Sequence, residues 1–144
     1  MPSKVGSYDP SQVIVTVGGV ILSGWSDGDA IIARRNEEMY FTKTGNDGTV
    51  GRARNANKSG EFEFKLLQTS EVNAQLSTLV NADDLLNDGK ALVAISVLDG
   101  SGTSLASATQ CWVKQLPEMT FGKEVGERTW IFSAADMRMF IGGN

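Results

Sequence analysis

The sequence predicts an all-β domain, a sandwich or barrel, carrying one helix. Three observations lead there. Turn signals recur at short intervals: Gly18-Gly19, Asp27-Gly28, Gly45-Asn46-Asp47-Gly48, Ser59-Gly60, Asp88-Gly89 and Asp99-Gly100-Ser101-Gly102. Between them, apolar residues recur at strand period, and one stretch alone carries them at helix period. Sixteen glycines in 144 residues, against a usual level of about 7%, fit a chain with many turns.

Taken in order, Gln12–Val17 places Val13, Val15 and Val17 on one face of a first strand. Ala30–Ala33 runs on into Arg34-Arg35 as a second, and Met39–Thr42 leads into the Gly45–Gly48 turn. Glycine takes positive φ without steric cost and Asn or Asp tolerates it, so a hairpin is expected there. Glu61–Leu66 alternates most cleanly, with Phe62, Phe64 and Leu66 on a buried face and Glu61, Glu63 and Lys65 on a wet one. From Ser70 to about Asn81 the period changes: Val72, Leu76, Leu79 and Val80 fall on one helical stripe. Thr69 or Ser70 can cap that helix, and Glu71 suits the positive end of its dipole. Asn81–Gly89, rich in Asp and Asn, reads as a solvated loop.

Leu92–Leu98 is almost wholly apolar, as a central strand covered on both faces would be. Asp99–Gly102 turns the chain into Ser104–Val113. Trp130, Phe132 and Ala134 alternate on a last long strand, and Met137, Met139 and Ile141 follow after a register change, with a bulge or bend expected at Asp136. No linker or low-complexity run divides the chain, so residues 1–144 read as a single domain.

Composition excludes much chemistry. With no histidine, Ser-His-Asp, Cys-His and His-ligated metal sites are ruled out; with Cys111 alone, so are an internal disulfide and a cysteine-built zinc site. Thirteen Lys and Arg against seventeen Asp and Glu give a net charge of −4, without the basic footprint of a duplex binder. Met1–Ser7 has no apolar run, so no signal peptide is expected, and no stretch approaches the ~20 apolar residues that span a bilayer.

The remaining candidates are weak as catalysts. Asp27/Asp29, Glu37/Glu38, Glu61/Glu63 and Asp83/Asp84 are close carboxylate pairs, but two-carboxylate chemistry needs burial to separate their pKa values, and Glu61 and Glu63 face water. Asp27-Gly28-Asp29 and Asn46-Asp47-Gly48 lack calcium-loop spacing, and turn chemistry explains them. Cys111 reads as a buried inert thiol, and the tryptophans as core or interface anchors. No enzyme, cofactor or metal is expected. One local cluster stands out: Arg52, Arg54 and Lys58, with Asn55 and Asn57 between, follow the Gly45–Gly48 turn. No aromatic is interleaved with them, so they read as a solvated loop or as a basic edge meeting an acidic edge of a like subunit.

Several motifs in order resemble a family of bacteriophage tail tube proteins: Val15-x-Val17-Gly18-Gly19, Gly24-Trp25-x-Asp27-Gly28-Asp29, Asn57-Lys58-Ser59-Gly60, Leu67-Gln68-Thr69-Ser70, Phe121-Gly122-Lys123-Glu124 and Met139–Asn144. The match runs from about Tyr8 to Asn144. The resemblance implies two packed antiparallel sheets with one flanking helix, the fold shared with type VI secretion tubes. It implies a subunit of a contractile-tailed phage, or of a related tail-like particle, that forms hexameric rings stacked into a DNA channel. Sheath, baseplate and tail terminator would be its partners, with the virion tail as its place and the host cytoplasm as the site of assembly. Within that frame Glu61, Glu63 and Glu37 are candidates for the lumen. Gly45, Asn46, Asp47, Gly48, Arg52, Arg54 and Lys58 are candidates for contacts between subunits or rings. A glycan-binding sandwich using Trp25, Trp112 or Trp130, or a virion decoration protein, is the alternative.

Overall fold

The computed structural model describes residues 5–86 and 92–144, with the side chains of residues 83–86 left aside. After a single 3-10 turn at Pro10–Gln12, the elements are β1 (Val13–Val17), β2 (Val20–Ile21), β3 (Ile31–Arg35), β4 (Tyr40–Thr44), β5 (Val50–Arg54) and β6 (Gly60–Leu67). Helix α1 (Val72–Leu86) follows, then β7 (Val93–Asp99), β8 (Leu105–Gln115), β9 (Glu127–Ala134) and β10 (Met137–Phe140). The fold is β with one helix, as the patterning predicts, and its strands form two antiparallel sheets, as the resemblance implies. The larger has eight strands in the order β2–β1–β7–β8–β9–β6–β3, with β10 alongside β8; the smaller is the β4–β5 hairpin.

The alternation in β6 gives strict in–out burial: Phe62, Phe64 and Leu66 are fully buried. They join Val15 and Val17 from β1, Ile95 from β7, Ala106, Ala108 and Cys111 from β8, and Trp130, Phe132 and Ala134 from β9 in one hydrophobic cluster. Strands from both ends of the order therefore close over a single core. Phe64 is the centre of its aromatic part, with Trp25, Phe62 and Phe132 at centroid distances of 6.0, 5.9 and 5.8 Å. Helix α1 adds Val72 and Leu76 to this core. It is tied to β9 where the Trp130 indole donates to Asn73 Oδ1 at 2.9 Å. Burial pushes the Cys111 thiol up to about 11, so it is the inert residue its strand context suggests.

Gly60 marks the point where β3, β6 and β10 converge. A Cβ there would stand 2.6 Å from the Arg34 carbonyl and 2.7 Å from Met137 Cε, so only glycine admits this approach.

Three expectations change. The helix starts at Val72, with the Ser70 hydroxyl accepting from the Val72 amide at 3.3 Å, and runs on to Leu86 rather than ending near Asn81. The Asn and Asp content of residues 81–84 suggested a loop, but a propensity cost of at most ~0.7 kcal/mol per residue does not stop an established helix. The last part of that expected loop, residues 87–89, lies outside the described residues. Strand β7 sits centrally in the sheet, yet Ala94 and Leu98 are exposed, so the described residues cover only one of its faces. At Asp136 the strand bends without a register change. Ala134 pairs with Cys111 and Met137 with Ala108, the same offset on both sides of the bend. Strands β8 and β9–β10 bend together, so that both change which side chains face inward. The register shifts lie instead at Val93/Ile95 and Val113/Gln115.

Candidate assembly interface

The β4–β5 hairpin has no partner in either strand other than itself. All ten of its strand residues are exposed. The tip forms as its sequence dictates: Gly48 takes φ +88°, its amide donates to the Gly45 carbonyl at 3.1 Å, and Asp47 Oδ1 accepts from the Thr49 amide at 3.0 Å. That bond holds the Asp47 carboxyl below its ordinary range. Cross-strand register pairs Tyr40 with Arg54, Thr42 with Arg52 and Thr44 with Val50. These six share one face, where the Arg52 guanidinium lies 4.4 Å over the Tyr40 ring. Phe41, Lys43, Gly51 and Ala53 form the other face. A two-stranded ribbon exposing Tyr40, Phe41 and Val50 is marginal by itself in water and gains stability from a surface to lie on.

The hairpin's base is fixed. Asn55, buried, donates through Nδ2 to the Glu38 carbonyl at 2.8 Å, its amide donates to the Met39 carbonyl at 2.9 Å, and its Oδ1 accepts from the Asn57 amide at 2.9 Å. The segment after β5 is therefore an ordered anchor rather than a purely solvated loop. Of the basic cluster, Arg52 lies along the hairpin, while Arg54 and Lys58 meet at its base beside Arg35, Asp136 and Arg138.

Glu61 and Glu63 point away from the core, but neither is bare. Arg34, the cross-strand partner of Glu61, reaches Glu61 at 2.8 Å and Glu63 at 3.5 Å, and Lys114 from β8 also bonds Glu61. The side chains of Glu61 and Glu63 retain only 13% and 19% exposure. The face expected to be wet is thus a compact ion-pair network. Glu37 is not part of it; it lies after β3 and accepts from Asn57 Nδ2.

The Lys114 bond, against the opposing effect of partial burial, holds the Glu61 carboxyl below its usual range. Its share of stability is complete above the unfolded-state carboxyl pKa near 4.3 and is lost as pH falls through the lower folded value. Urea titrations from pH 7 down to pH 3 should show this loss in the wild-type chain and a shallower slope in Glu61→Gln. Identical slopes would show that the network contributes nothing.

Two surfaces were not singled out in the sequence. Ile14, Leu98, Leu105 and Phe140 are successive register partners across β1, β7, β8 and β10, and all four are exposed. They form an apolar row on the outer face. The apolar runs in β1 and β7 were the signal, but only register shows that they align. The second is residues 116–126, where Leu116, Met119, Phe121 and Val125 are exposed. Arg128 clamps this connection by donating to the Thr120 carbonyl at 2.8 Å and lying 5.4 Å from the Phe121 ring centre.

Trp130 is buried in the core, and Trp25 packs edge-on to Phe64; Trp112 is the exposed one. The three do not form a shared sugar platform. Among the described residues no cluster of His, Cys, Asp and Glu is gathered to hold a metal, and no helix is long and apolar enough to cross a membrane.

Comparison with known proteins then decides the family. A family model described as the bacteriophage PhiTE tail tube protein matches residues 7–142. The chain belongs to this tail tube family. Its members are structural proteins of the phage tail. Across its full length this tail tube family member is 25% identical to a curated relative, structural protein ORF10 of Pseudomonas phage KPP10, of which it covers 87%. Solved structures share the fold. The cap of the anti-feeding prophage, a tube-terminating cap, aligns over 97% of this chain and 95% of that one, with a TM-score of 0.62 at 10% identity. The sheath/tube terminator of the extracellular contractile injection system PVC aligns over 96% and 100%, with 0.61 at 13%. The sheath-tube complex of the same system aligns over 93% and 91%, with 0.58 at 9%.

Proposed function

We propose that this chain forms hexameric rings that stack into the tail tube, the conduit for phage DNA, inside a contractile sheath. The observation that carries this reading is the β4–β5 hairpin, a ribbon whose ten strand residues are all exposed and pair with no other strand among the described residues. In a repeating heterologous assembly each hairpin lies on the next copy, and each copy's apolar row is available to be covered in turn. The solved relatives, a tube cap, a sheath/tube terminator and a sheath-tube complex, support a sheath and a terminator as partners. Baseplate contact and assembly in the host cytoplasm follow from the same role.

For DNA to slide, the lumen must not hold phosphates. The Glu61/Glu63 face suits such a wall in a revised sense. Its cations Arg34 and Lys114 are already bonded to carboxylates, which leaves Lys65 as the cation on the β6 side of that face without a carboxylate partner among the described residues. Glu37, bound to Asn57 at the hairpin base, belongs to the hairpin end of the molecule.

Negative-stain microscopy of the purified protein should show rings about one subunit thick and tubes built from them. Arg52→Glu with Arg54→Glu should reduce tube formation severely while the monomer keeps its wild-type urea midpoint. A chain that stays monomeric at high concentration, or normal tubes from the double variant, would count against this role for the hairpin.

A further inference from the structure

The two ends of the β3 edge carry opposite charge. At the Arg35 end, a cleft of about 270 Å³ lies between the hairpin base and β10. Arg35, Arg54, Lys58 and Arg138 line it, with Asp136 as its one carboxylate and the Tyr40 ring on its wall. None of these cations has an ion-pair partner among the described residues. Arg35 Nε is in addition buried without a hydrogen-bond partner, the one described side-chain polar atom in that state. A buried donor in that state is unsatisfied, and an acceptor that reached it would relieve it. The nearby Glu37 and Glu38 lie outside the lining; Glu37 is engaged by Asn57.

At the opposite end of β3 the chain expels an acidic loop. Ser26 donates its amide to the Lys65 carbonyl at 3.0 Å, and the Lys65 amide donates to the Ala30 carbonyl at 2.8 Å. A single β6 residue thus fixes both sides of the loop, and Asp27, Gly28 and Asp29 are pushed out, all exposed. Gly28 takes φ +82° with open space around it. Glu127, bonded by the Ser26 hydroxyl, lies beside this loop, with Glu118 and Glu124 in the connection before β9. Lys65 and Lys123 are the cations there; Arg128 is occupied by carbonyl groups. From Asp29 to Arg35 is six residues of extended chain, about 20 Å.

We infer that the Arg35–Arg54–Lys58–Arg138 cleft is a socket for the Asp27–Asp29 loop of a second copy, and that this pairing sets the head-to-tail polarity of stacking. The inference rests on the tube reading above. Socket and plug lie at opposite ends of one edge strand, so the contact is heterologous; between stacked rings it leaves free sockets at one end of the stack and free plugs at the other. Arginine forks favour paired carboxylates, and charge complementarity fixes register and rejects the reversed orientation, where socket would meet socket. With a net charge of −4, the chain as a whole does not favour a nucleic-acid phosphate as the occupant.

The test is a charge exchange in the full chain, read by pelleting and negative-stain tube counts across a salt series. Lys58→Glu with Arg138→Glu, and separately Asp27→Lys with Asp29→Lys, should each lower the polymerised fraction about tenfold at 0.15 M salt. The quadruple variant should recover tubes. Lys58→Gln with Arg138→Gln, with a wild-type urea midpoint, guards against a folding defect and should fall between. If wild-type protein forms no tubes, the tube reading itself fails. If wild-type protein forms tubes and either double reversal polymerises equally well, or the quadruple variant does not recover, the socket is overturned while the tube reading stands. Duplex DNA binding by the wild-type protein that is lost in Lys58→Glu/Arg138→Glu would equally overturn it, by showing a phosphate site.

Discussion

Replacing Tyr40–Arg54 by a two-residue Asn-Gly turn between Met39 and Asn55 should abolish tubes and leave the folded monomer within about 1 kcal/mol of wild type. The strand residues removed are exposed and pair only with each other, so the core loses nothing. The Asn55 amide already donates to the Met39 carbonyl at 2.9 Å, the bond a two-residue turn makes across its ends, and a type I′ turn closes such a pair with the twist the strands require. The Asn55 anchor below is left whole. Sedimentation and urea denaturation on the same preparation separate the two effects. Tubes from the shortened chain would remove the hairpin from assembly, and a collapse of stability would show that it packs on its own body.

Phe64→Ala should produce the opposite result. Phe64 is fully buried and touches three aromatic rings, so truncation removes its transfer free energy and leaves a cavity among them, about 3–5 kcal/mol together. Against a total stability of about 5–15 kcal/mol, that is a large fraction, and the loss of tubes would follow from loss of the subunit. The midpoint of urea unfolding, followed by tryptophan emission with Trp130 buried in the same cluster, measures it. A loss below about 1.5 kcal/mol would mean that the closed core collapses around the gap.

These two cases show what could be read in advance. Phe62 and Phe64 alternate with Glu61 and Glu63, so their burial was legible at period 2. Phe41 stands in an equally β-prone segment but has no inner face to point to, because β4 pairs only with β5. Trp130 and Trp112 divide in the same way, one buried and one exposed on neighbouring strands of one sheet. The basic cluster was visible as charge against the balance of the chain. Its division into Arg52 along the hairpin, and Arg54 and Lys58 in a cleft with Arg35 and Arg138, was not, since Arg138 arrives from a strand some eighty residues away.

By itself the sequence determined the class of fold, the places of its turns, the inward face of β6 and β9, and the exclusion of histidine-based sites and of an internal disulfide. These depend on local φ/ψ demands, on side-chain period and on composition, all of which are properties of neighbours in the chain. Tertiary structure alone decided the helix end, the coupled bend of β8 with β9–β10, the ion pairs that neutralise Glu61, the aligned apolar row and the cationic cleft. Each of these depends on register between strands distant in sequence, where a shift of one residue turns every side chain to the other face. On the tube reading proposed above, those non-local juxtapositions make up the surface by which copies meet.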